Sequence, residues 1–155
     1  MERNAGDGFQ LVFNLINQRA LATLEKAAAG GYGIIARMPL QFGLLTGKFR
    51  HDQEFAPDDH RSFRLTQEIL SRSLAMLEGT VWPVALNEGL TKTALALSFI
   101  LSYPQISTVI PGIRTNNHVS QNTSGIKKLR ADNRLFLEQL SVKWEEVMQL
   151  MEKQG

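Results

Sequence analysis

Bulky apolar residues occur in three short runs that have the length and composition of β-strands. The runs are residues 9–13 (FQLVF), 33–36 (GIIA) and 106–110 (ISTVI). The second run alternates poorly between apolar and polar positions, which is typical of a strand buried on both faces in a parallel sheet. The pattern therefore predicts three strands of one parallel sheet.

Segments of helical character lie between and after these strands. Helices are expected at about 18–29, 63–77, 83–89, 92–102 and 117–126. Gly30 and Gly31 end the first helix, because glycine readily adopts the left-handed conformation that follows a helix C-terminus. Gly79 and Pro83 interrupt the helical pattern, and Pro83 opens a second short helix, where its missing N–H costs nothing. Thr91 is placed to cap the next helix.

The clearest helical period lies at the end of the chain. Its apolar positions fall on one stripe, formed by Leu137, Leu140, Trp144, Val147 and Met151. Spacings of three and four residues predict one amphipathic C-terminal helix over about 133–153, with Asp132 as its N-cap.

The order of elements predicts an incomplete domain. Strands that alternate with helices pair in parallel through crossover helices. Three strands are enough to start such a sheet but leave two open edges. The sheet either recruits strands from another chain or is a piece of a larger domain. The chain is therefore expected to be a single, incomplete α/β domain over residues 1–155.

Composition and charge narrow the class of protein. The 155 residues are 43% apolar and 21% charged, close to an average globular domain. A formal charge of +2 is too even to indicate a polyanion partner. The densest basic cluster, Lys127, Lys128 and Arg130, lacks the aromatic residues that stack on bases, so we expect a solvated face and no nucleic-acid partner. No membrane partner is expected either, because no apolar run is long enough to span a bilayer.

Other functional classes have little support in the sequence. The N-terminus (MERNAGDG) is polar and unlike a secretion signal, so a cytoplasmic protein is expected. The absence of cysteine excludes disulfides, thiolate chemistry and cysteine-based metal sites. The loop from His51 to His60 contains two histidines and four acidic residues. A polar loop does not fix the geometry that metal ligands need, so no metal site is expected there.

Two loops at predicted strand ends carry residues suited to bind an anion. In ARMPLQFGLLTGK, Arg37 and Lys48 flank a glycine-containing turn at the end of the second strand, where α/β proteins build ligand sites. Backbone amides near Gly43 and Gly47 would face phosphate oxygens. An ordinary connection between a strand and a helix would show the same pattern.

The second loop, 109–115 (VIPGIRT), leads from the third strand into a helix that begins near Asn116. A helix N-terminus presents unpaired N–H groups and a positive dipole end, which suit a phosphate. Arg114 would donate two hydrogen bonds to such a group, and Thr115 would add a hydroxyl. A capped helix beside a solvated arginine is the alternative explanation of the pattern.

Three blocks of sequence together resemble the aldo-keto reductase family. Residues 9–19 (FQLVFNLINQR) are similar to its sixth strand, and 32–49 (YGIIARMPLQFGLLTGKF) to its seventh-strand segment. Residues 94–122 (ALALSFILSYPQISTVIPGIRTNNHVSQN) resemble its last helix, eighth strand and NADP phosphate loop. The blocks occur in the family's order and cover about residues 8–126. The resemblance implies a partial (β/α)8 TIM barrel made of the last three strands and their helices.

The resemblance also implies an NADP site that begins on the first two strands. Gln10 would hold the nicotinamide carboxamide. Arg37 would stack on the nicotinamide ring, where many family members have an aromatic residue; a guanidinium plane stacks as well. The pyrophosphate would be lined by Pro39, Leu40, Gly43, Leu45 and Lys48.

The last strand and the helix after it would complete this NADP site. By the same resemblance, the adenosine phosphate would be received by Gly112, Ile113 and Arg114, with His118, Gln121 and Asn122 reaching that phosphate and the adenine. Residues 118 and 122 lie one turn apart, so they share one face of a helix.

The catalytic groups implied by the resemblance lie outside this sequence. In the family an aspartate, a tyrosine, a lysine and a histidine from the N-terminal half of the barrel carry out catalysis, and neither Tyr32 nor Tyr103 matches the tyrosine's position. No residue here is therefore assigned a catalytic role. We expect the cofactor-binding portion of an NADP-dependent oxidoreductase, which transfers a hydride between NADPH and a small carbonyl substrate, and expect this portion alone to be inactive.

Two kinds of partner are expected for such a portion. One is the missing N-terminal half of the barrel, and the other is a second copy of the chain that pairs through the open strand edges. The alternative function is a non-catalytic half-barrel that binds nucleotide or protein. The family offers an analogy for it, since some members are regulatory and attached to channels.

Overall fold

The sheet of this protein has three parallel strands. The computed structural model describes residues 6–154. The strands are β1 (Gly8–Val12), β2 (Gly33–Arg37) and β3 (Thr108–Val109), and they lie side by side in that order. Gln10 lies opposite Ile35, and Ile35 lies opposite Thr108. The predicted parallel sheet of three strands is confirmed, although β3 is shorter than its predicted range.

α1 (Leu21–Ala29) connects β1 to β2 and ends at the predicted glycines. Gly31 has a φ of +75°, in the left-handed region. The Tyr32 N–H donates to the Ala27 carbonyl at 3.0 Å, and the Gly31 N–H donates to the Ala28 carbonyl at 3.0 Å. These two bonds form a Schellman motif, which satisfies the last helix carbonyls and directs the chain into β2.

The connection from β2 to β3 contains most of the helices. A 3₁₀ segment (Gln41–Thr46) is followed by α2 (Arg61–Arg64), α3 (Gln67–Met76), α4 (Trp82–Glu88) and α5 (Lys92–Leu101). Thr91 caps α5 as predicted, since its Oγ1 accepts a hydrogen bond from the Ala94 N–H at 3.1 Å. Residues 93–100 of α5 are all buried, so this helix lies at the centre of the core.

The predicted interruption near Gly79 and Pro83 is a π-helical turn and not a gap, and Pro83 lies in the first turn of α4, as predicted. One π-helical turn (Leu77–Val81) continues the backbone from α3 into α4, so residues 67–88 form one helix. A proline ring clashes with the carbonyl four residues earlier and donates no N–H. The wider π turn gives this ring room, so the helix continues through it.

A membrane-spanning helix needs sufficient length and apolar composition, and none of the single helices among the described residues has both. Only residues 67–88 and 92–101 taken together pass such a test, and these two helices are bent by 83° relative to each other.

The C-terminal apolar stripe is buried, but it belongs to two helices. α6 (Asn116–Thr123) is followed by α7 (Ala131–Gln139) and α8 (Ser141–Glu152). The stripe residues Leu137, Leu140, Trp144, Val147 and Met151 are all 7% exposed or less. The single helix predicted over about 133–153 is wrong, because a straight helix of that length would extend about 30 Å. A break at Leu140 instead keeps both parts of the stripe on the core.

The N-terminus of α7 also differs from its prediction. Arg130 occupies the N-cap position, and Asp132 lies inside the first turn. The Asp132 carboxylate accepts a hydrogen bond from the neighbouring Asn133 N–H at 2.9 Å. The predicted N-cap role of Asp132 is therefore wrong. A carboxylate in the first turn still interacts favourably with the positive end of the helix dipole.

The sheet is covered by helices on one face and open on the other. Ile34 and Ala36 of β2 are fully buried, whereas Ile35 is half-buried and Arg37 is exposed. Gln10 of β1 lies beside Ile35 and is also exposed. Within the part of the chain that the structure describes, β2 is thus buried on one face only, in contrast to the prediction from its apolar run. Such an apolar strand suits a sheet whose second face is also covered.

Candidate functional site

A cleft of 1120 Å³ opens at the carboxyl ends of β2 and β3. Ligand sites of barrels and open parallel sheets form at this end of the strands. The walls come from the loops after β2 and β3, the start of α5 and the length of α6. Ten of the thirteen predicted site residues line the cleft: Arg37, Pro39, Leu40, Gly43, Lys48, Gly112, Arg114, His118, Gln121 and Asn122.

The other three predicted site residues lie outside this cleft. Gln10 is exposed on the open face of the sheet, two residues before the end of β1. Leu45 is fully buried in the core, and Ile113 is 55% exposed beside the cleft. The structure thus brings together most of the residues predicted for the phosphates, but not Leu45 or Ile113, and Gln10 lies on the open face of the sheet.

The turn after β2, residues 38–43, has an unusual backbone. Met38, Gln41 and Phe42 have φ angles of 54°, 41° and 56°, and Gly43 has 98°. Left-handed conformations cost a non-glycine residue about 1–2 kcal/mol each. Strain of this kind persists only where the surrounding structure enforces it, and it concentrates at functional sites. The turn therefore supports the assignment of this loop to a ligand site.

The loop after β3 is fastened to the first turns of α6. Thr115 caps this helix through its Oγ1, which accepts a hydrogen bond from the His118 N–H at 3.3 Å. The Arg114 N–H donates to His118 Nδ1 at 3.1 Å, and Asn122 Nδ2 donates to the Gly112 carbonyl at 3.3 Å. These bonds hold the backbone of Arg114 at the N-terminus of α6, and Arg114 lines the cleft. Both the guanidinium and the helix terminus favour an anion here.

The cleft has a strongly positive lining. Five lining residues carry fixed or nearly fixed positive charges: Arg37, Lys48, Arg61, Lys92 and Arg114. Among the described residues, no aspartate or glutamate lines the cleft. The pKa of Lys48 is lowered, first because burial removes water from its ammonium group, and then because Arg61 and Arg114 repel it. This mutual repulsion would be relieved by a bound anion.

Two of these cations were not identified from the sequence. Arg61 lies over the rings of Phe49 and Phe55, 5.7 and 5.1 Å from their centroids, and forms an ion pair with Asp59. These contacts hold Arg61 at the rim of the cleft. Its signal in the sequence is an arginine two residues after Asp59, which does not reveal the direction of the side chain.

Lys92 is the other cation that sequence reasoning missed. Its side chain lies against the backbone of Gly47, where an added Cβ would be 2.1 Å from Lys92 Cδ. Its ammonium group lies 5.0 Å from the centre of the Trp82 ring, a cation–π contact. Gly47 also has a φ of +70°, so its conformation favours glycine, and any larger residue would displace the Lys92 side chain. The glycine is visible in the sequence, but the lysine that covers it is not.

Neither tyrosine reaches the cleft. Tyr32 packs against Phe9 with ring centroids 4.9 Å apart. Tyr103 packs edge-on against Phe13 at 5.0 Å, and its hydroxyl donates to the Glu138 carboxylate at 2.9 Å. Burial and the nearby Glu138 carboxylate raise the pKa of Tyr103. A phenol held this way is a poor proton donor, and Tyr103 does not line the cleft.

The fold and the cleft define a class of protein. Parallel strands joined by helices, with a ligand-sized cleft at the strands' carboxyl ends, are the architecture of α/β barrels and doubly wound sheets. Residues 8–134 match the sequence model of the Aldo/keto reductase family. The chain belongs to this family, as the resemblance of its three blocks implies.

Two curated proteins are similar to this chain in sequence. Each is described as a probable voltage-gated potassium channel subunit beta, one from Oryza sativa subsp. japonica and one from Arabidopsis thaliana. Each is 27% identical over 101 residues, which is 62% of this chain and 30% of the relative. The similarity thus extends over less than a third of either relative.

Solved structures of the family share the fold. A glycerol dehydrogenase from Gluconobacter oxydans has a TM-score of 0.72 at 22% identity, and the match covers 92% of this chain and 45% of that one. The holo form of an aldo-keto reductase from Bacillus halodurans has a TM-score of 0.67 at 17% identity, covering 90% and 44%. The chain spans less than half the length of these proteins. Its fold is a partial TIM barrel, as predicted.

Proposed function

We propose that the cleft binds NADP and that this chain is the cofactor-binding portion of an aldo-keto oxidoreductase. The observation that carries the proposal is the positive lining of the cleft, in which five cations face a volume of 1120 Å³ without a carboxylate among the described lining residues. A dinucleotide with a pyrophosphate and a further phosphate is an anion of matching charge and size. Family membership makes this ligand the natural candidate.

The two halves of the cleft would bind different phosphates. The adenosine phosphate would lie at the N-terminus of α6, where Arg114 and the backbone amides after Thr115 would donate hydrogen bonds to it. The pyrophosphate would lie along residues 38–48, close to Lys48 and Arg61. Arg37 ends β2 on the open face and would lie against the nicotinamide ring. Bound NADPH would supply a hydride for the reduction of a carbonyl carbon.

A direct binding experiment tests this proposal. NADPH and NADH are titrated into the purified chain and followed by nicotinamide fluorescence. We expect saturable binding of NADPH that weakens as salt rises, and weaker binding of NADH. Arg114→Ala should reduce NADPH affinity by about tenfold or more, because it removes charge-assisted hydrogen bonds. The matched control is Lys128→Ala, an exposed cation outside the cleft. Equal NADPH affinity in Arg114→Ala and wild type would contradict the proposal.

The open face of the sheet is the proposed contact for the rest of a barrel. Gln10, Ile35 and Arg37 lie on this face, and β1 and β3 are its edges. The first five strands of an aldo-keto reductase barrel, on a separate polypeptide or the same one, would cover it and bring the catalytic tyrosine. Mixing the chain with such a polypeptide should give carbonyl-dependent oxidation of NADPH. Light scattering separates self-association from this arrangement, since a pair of copies has twice the 17.4 kDa mass.

A nucleotide-binding role without turnover is the second candidate function. The observation that favours it is the position of Tyr32 and Tyr103, both packed on the helical side of the sheet and away from the cleft. In this case the chain would bind NADPH, but a carbonyl compound would not oxidise the NADPH even after the other half of the barrel is added. The two candidates share the cleft and differ in the mixing experiment alone.

A further inference from the structure

We infer that Gln41 is a positioning residue through which the C-terminal helix α8 sets the shape of the cleft. The inference rests on the proposed nucleotide site, because the turn that Gln41 holds forms one wall of it. Gln41 itself belongs to the strained turn at residues 38–43, and its side chain is 3% exposed.

A buried polar chain joins the end of β1, this turn and α8. Asn14 Nδ2 donates to the Met38 carbonyl at 2.9 Å and to Gln41 Oε1 at 2.8 Å. Gln41 Nε2 in turn donates to Met151 Sδ at 3.4 Å. Asn14 is 0% and Met151 7% exposed. Breaking a hydrogen bond this deeply buried is costly, because its donor and acceptor have already been removed from water and would be left without a partner.

Asn14 fixes the orientation of the side-chain amides in this series of hydrogen bonds. Asn14 Oδ1 accepts hydrogen bonds from the Ile16 and Asn17 N–H groups at 2.9 and 2.8 Å. The amide nitrogen of Asn14 must therefore face the turn, so Gln41 presents its oxygen to Asn14 and its nitrogen to α8. The Met151 sulfur is a weak acceptor, but it meets a donor whose orientation is already set.

The backbone at Gln41 gives the reason to assign a role to its side chain. A φ of 41° suits glycine, so glutamine costs about 1 kcal/mol or more at this position. Gln41 lines the cleft together with Leu40 and Phe42 on either side of it, so a shift of Gln41 moves this wall. Met151 is 110 residues further along the chain. The side chain thus links a ligand-binding wall to an element that does not line the cleft.

Two variants separate positioning from simple packing. Gln41→Gly relieves the left-handed strain and removes the side-chain hydrogen bonds to Asn14 and Met151. If only the backbone conformation of the turn matters, this variant should bind NADPH as well as wild type or better. Positioning by the side chain instead predicts an NADPH affinity about fivefold lower. Met151→Leu keeps the apolar volume and removes the acceptor, and should lower the affinity about twofold. The double variant should bind like Gln41→Gly alone, because both changes break one connection.

Hydrogen exchange of the free chain gives a readout that needs no nucleotide. Amides of residues 40–46 should exchange faster in Gln41→Gly and in Met151→Leu, while those of α1 stay as in wild type. If the wild-type chain binds no NADPH, the proposed function fails, and the exchange rates still decide whether α8 holds the turn. Unchanged exchange at residues 40–46 in both variants would overturn the inference, as would wild-type NADPH affinity in Gln41→Gly.

Discussion

Two groups of cations in this molecule differ in what neutralises them. At the end of α4, the Glu88 side chain is 1% exposed, and its carboxylate forms ion pairs with Lys127 Nζ at 3.0 Å and Arg130 Nε at 3.3 Å. In the cleft, neither Lys48 nor Arg114 forms an ion pair with any described residue. The first group is neutralised by the protein itself. Of the cleft cations, Arg61 pairs with Asp59, whereas Lys48 and Arg114 would be neutralised by the anion proposed for the cleft.

The pKa values show the same contrast. The pKa of Glu88 is lowered to about 2, chiefly by the hydrogen bond from Asn133 and then by Lys127 and Arg130, which outweigh the effect of burial. The pKa of Lys48 is lowered by burial and by repulsion from other cations. A group of charges that stabilises its members serves the fold, whereas one whose members repel each other is suited to bind an anion.

The largest expected effect is on stability, from Glu88→Gln. The folded pKa of about 2 lies below the ordinary value of 4.5, so the contribution of Glu88 is fully present above about pH 5 and is lost as pH falls toward 2. At pH 7 the variant should lose about 2 kcal/mol in the free energy of unfolding. Urea denaturation at pH 7, 5 and 3 measures both the loss and the flatter pH dependence of the variant. NADPH affinity should not change, and a weaker affinity would contradict the separation of the two groups.

Local chemistry made part of this fold predictable. The Thr91 cap, the Gly31 turn and the apolar stripe that ends at Met151 each depend on residues a few positions apart, and the structure confirms them. The two loops proposed to bind an anion are also marked by local signals, since strand ends and helix starts can be recognised in the sequence itself. Contacts between distant segments were not predictable, such as Lys92 on Gly47 or Gln41 on Met151. A sequence shows the positive residues but not which of them meet a carboxylate.

The basic cluster after α6 shows how this limitation acts. Lys127, Lys128 and Arg130 were expected to form a solvated face, and Lys127 and Arg130 are indeed 47% and 55% exposed. Their charged groups nevertheless bind Glu88, which is 39 residues before Lys127. The partner is a single buried glutamate at the end of α4, and no spacing rule connects Glu88 to this cluster.

The next largest effect is on ligand affinity, from Lys48→Met. The variant keeps an apolar stem over Gly43 and removes a charge that Arg61 and Arg114 repel. NADPH affinity should fall about tenfold, whereas the melting temperature should stay the same or rise. Fluorescence titration and thermal unfolding measure the two, with Lys128→Met as the matched control. A lower melting temperature would show that Lys48 belongs with the structural cations.

A smaller effect is expected from two helix caps. Thr66 caps α3, where its Oγ1 accepts from the Ile69 N–H, and Thr115 caps α6 beside Arg114. Thr66→Ala should cost about 1 kcal/mol of stability and leave NADPH affinity unchanged. Thr115→Ala should cost less, because α6 has no buried residue, but should weaken NADPH binding about threefold by loosening the loop. Urea denaturation measures the stability of both variants, and NADPH titration measures their affinities. Equal effects of the two substitutions on NADPH affinity would contradict the prediction.

The smallest effect is expected from Arg50→Ala. Arg50 donates to the Asp52 carboxylate at 3.0 and 2.9 Å, and the two side chains are 77% and 71% exposed. The pair lowers the pKa of Asp52, but water screens such an interaction, so it contributes little to stability. Arg50 also lies just beyond Lys48 in the chain and carries the same charge without lining the cleft. Neither the melting temperature nor NADPH affinity should change measurably in this variant. If NADPH affinity fell as far as in Lys48→Met, total charge rather than the arrangement of cations in the cleft would govern binding.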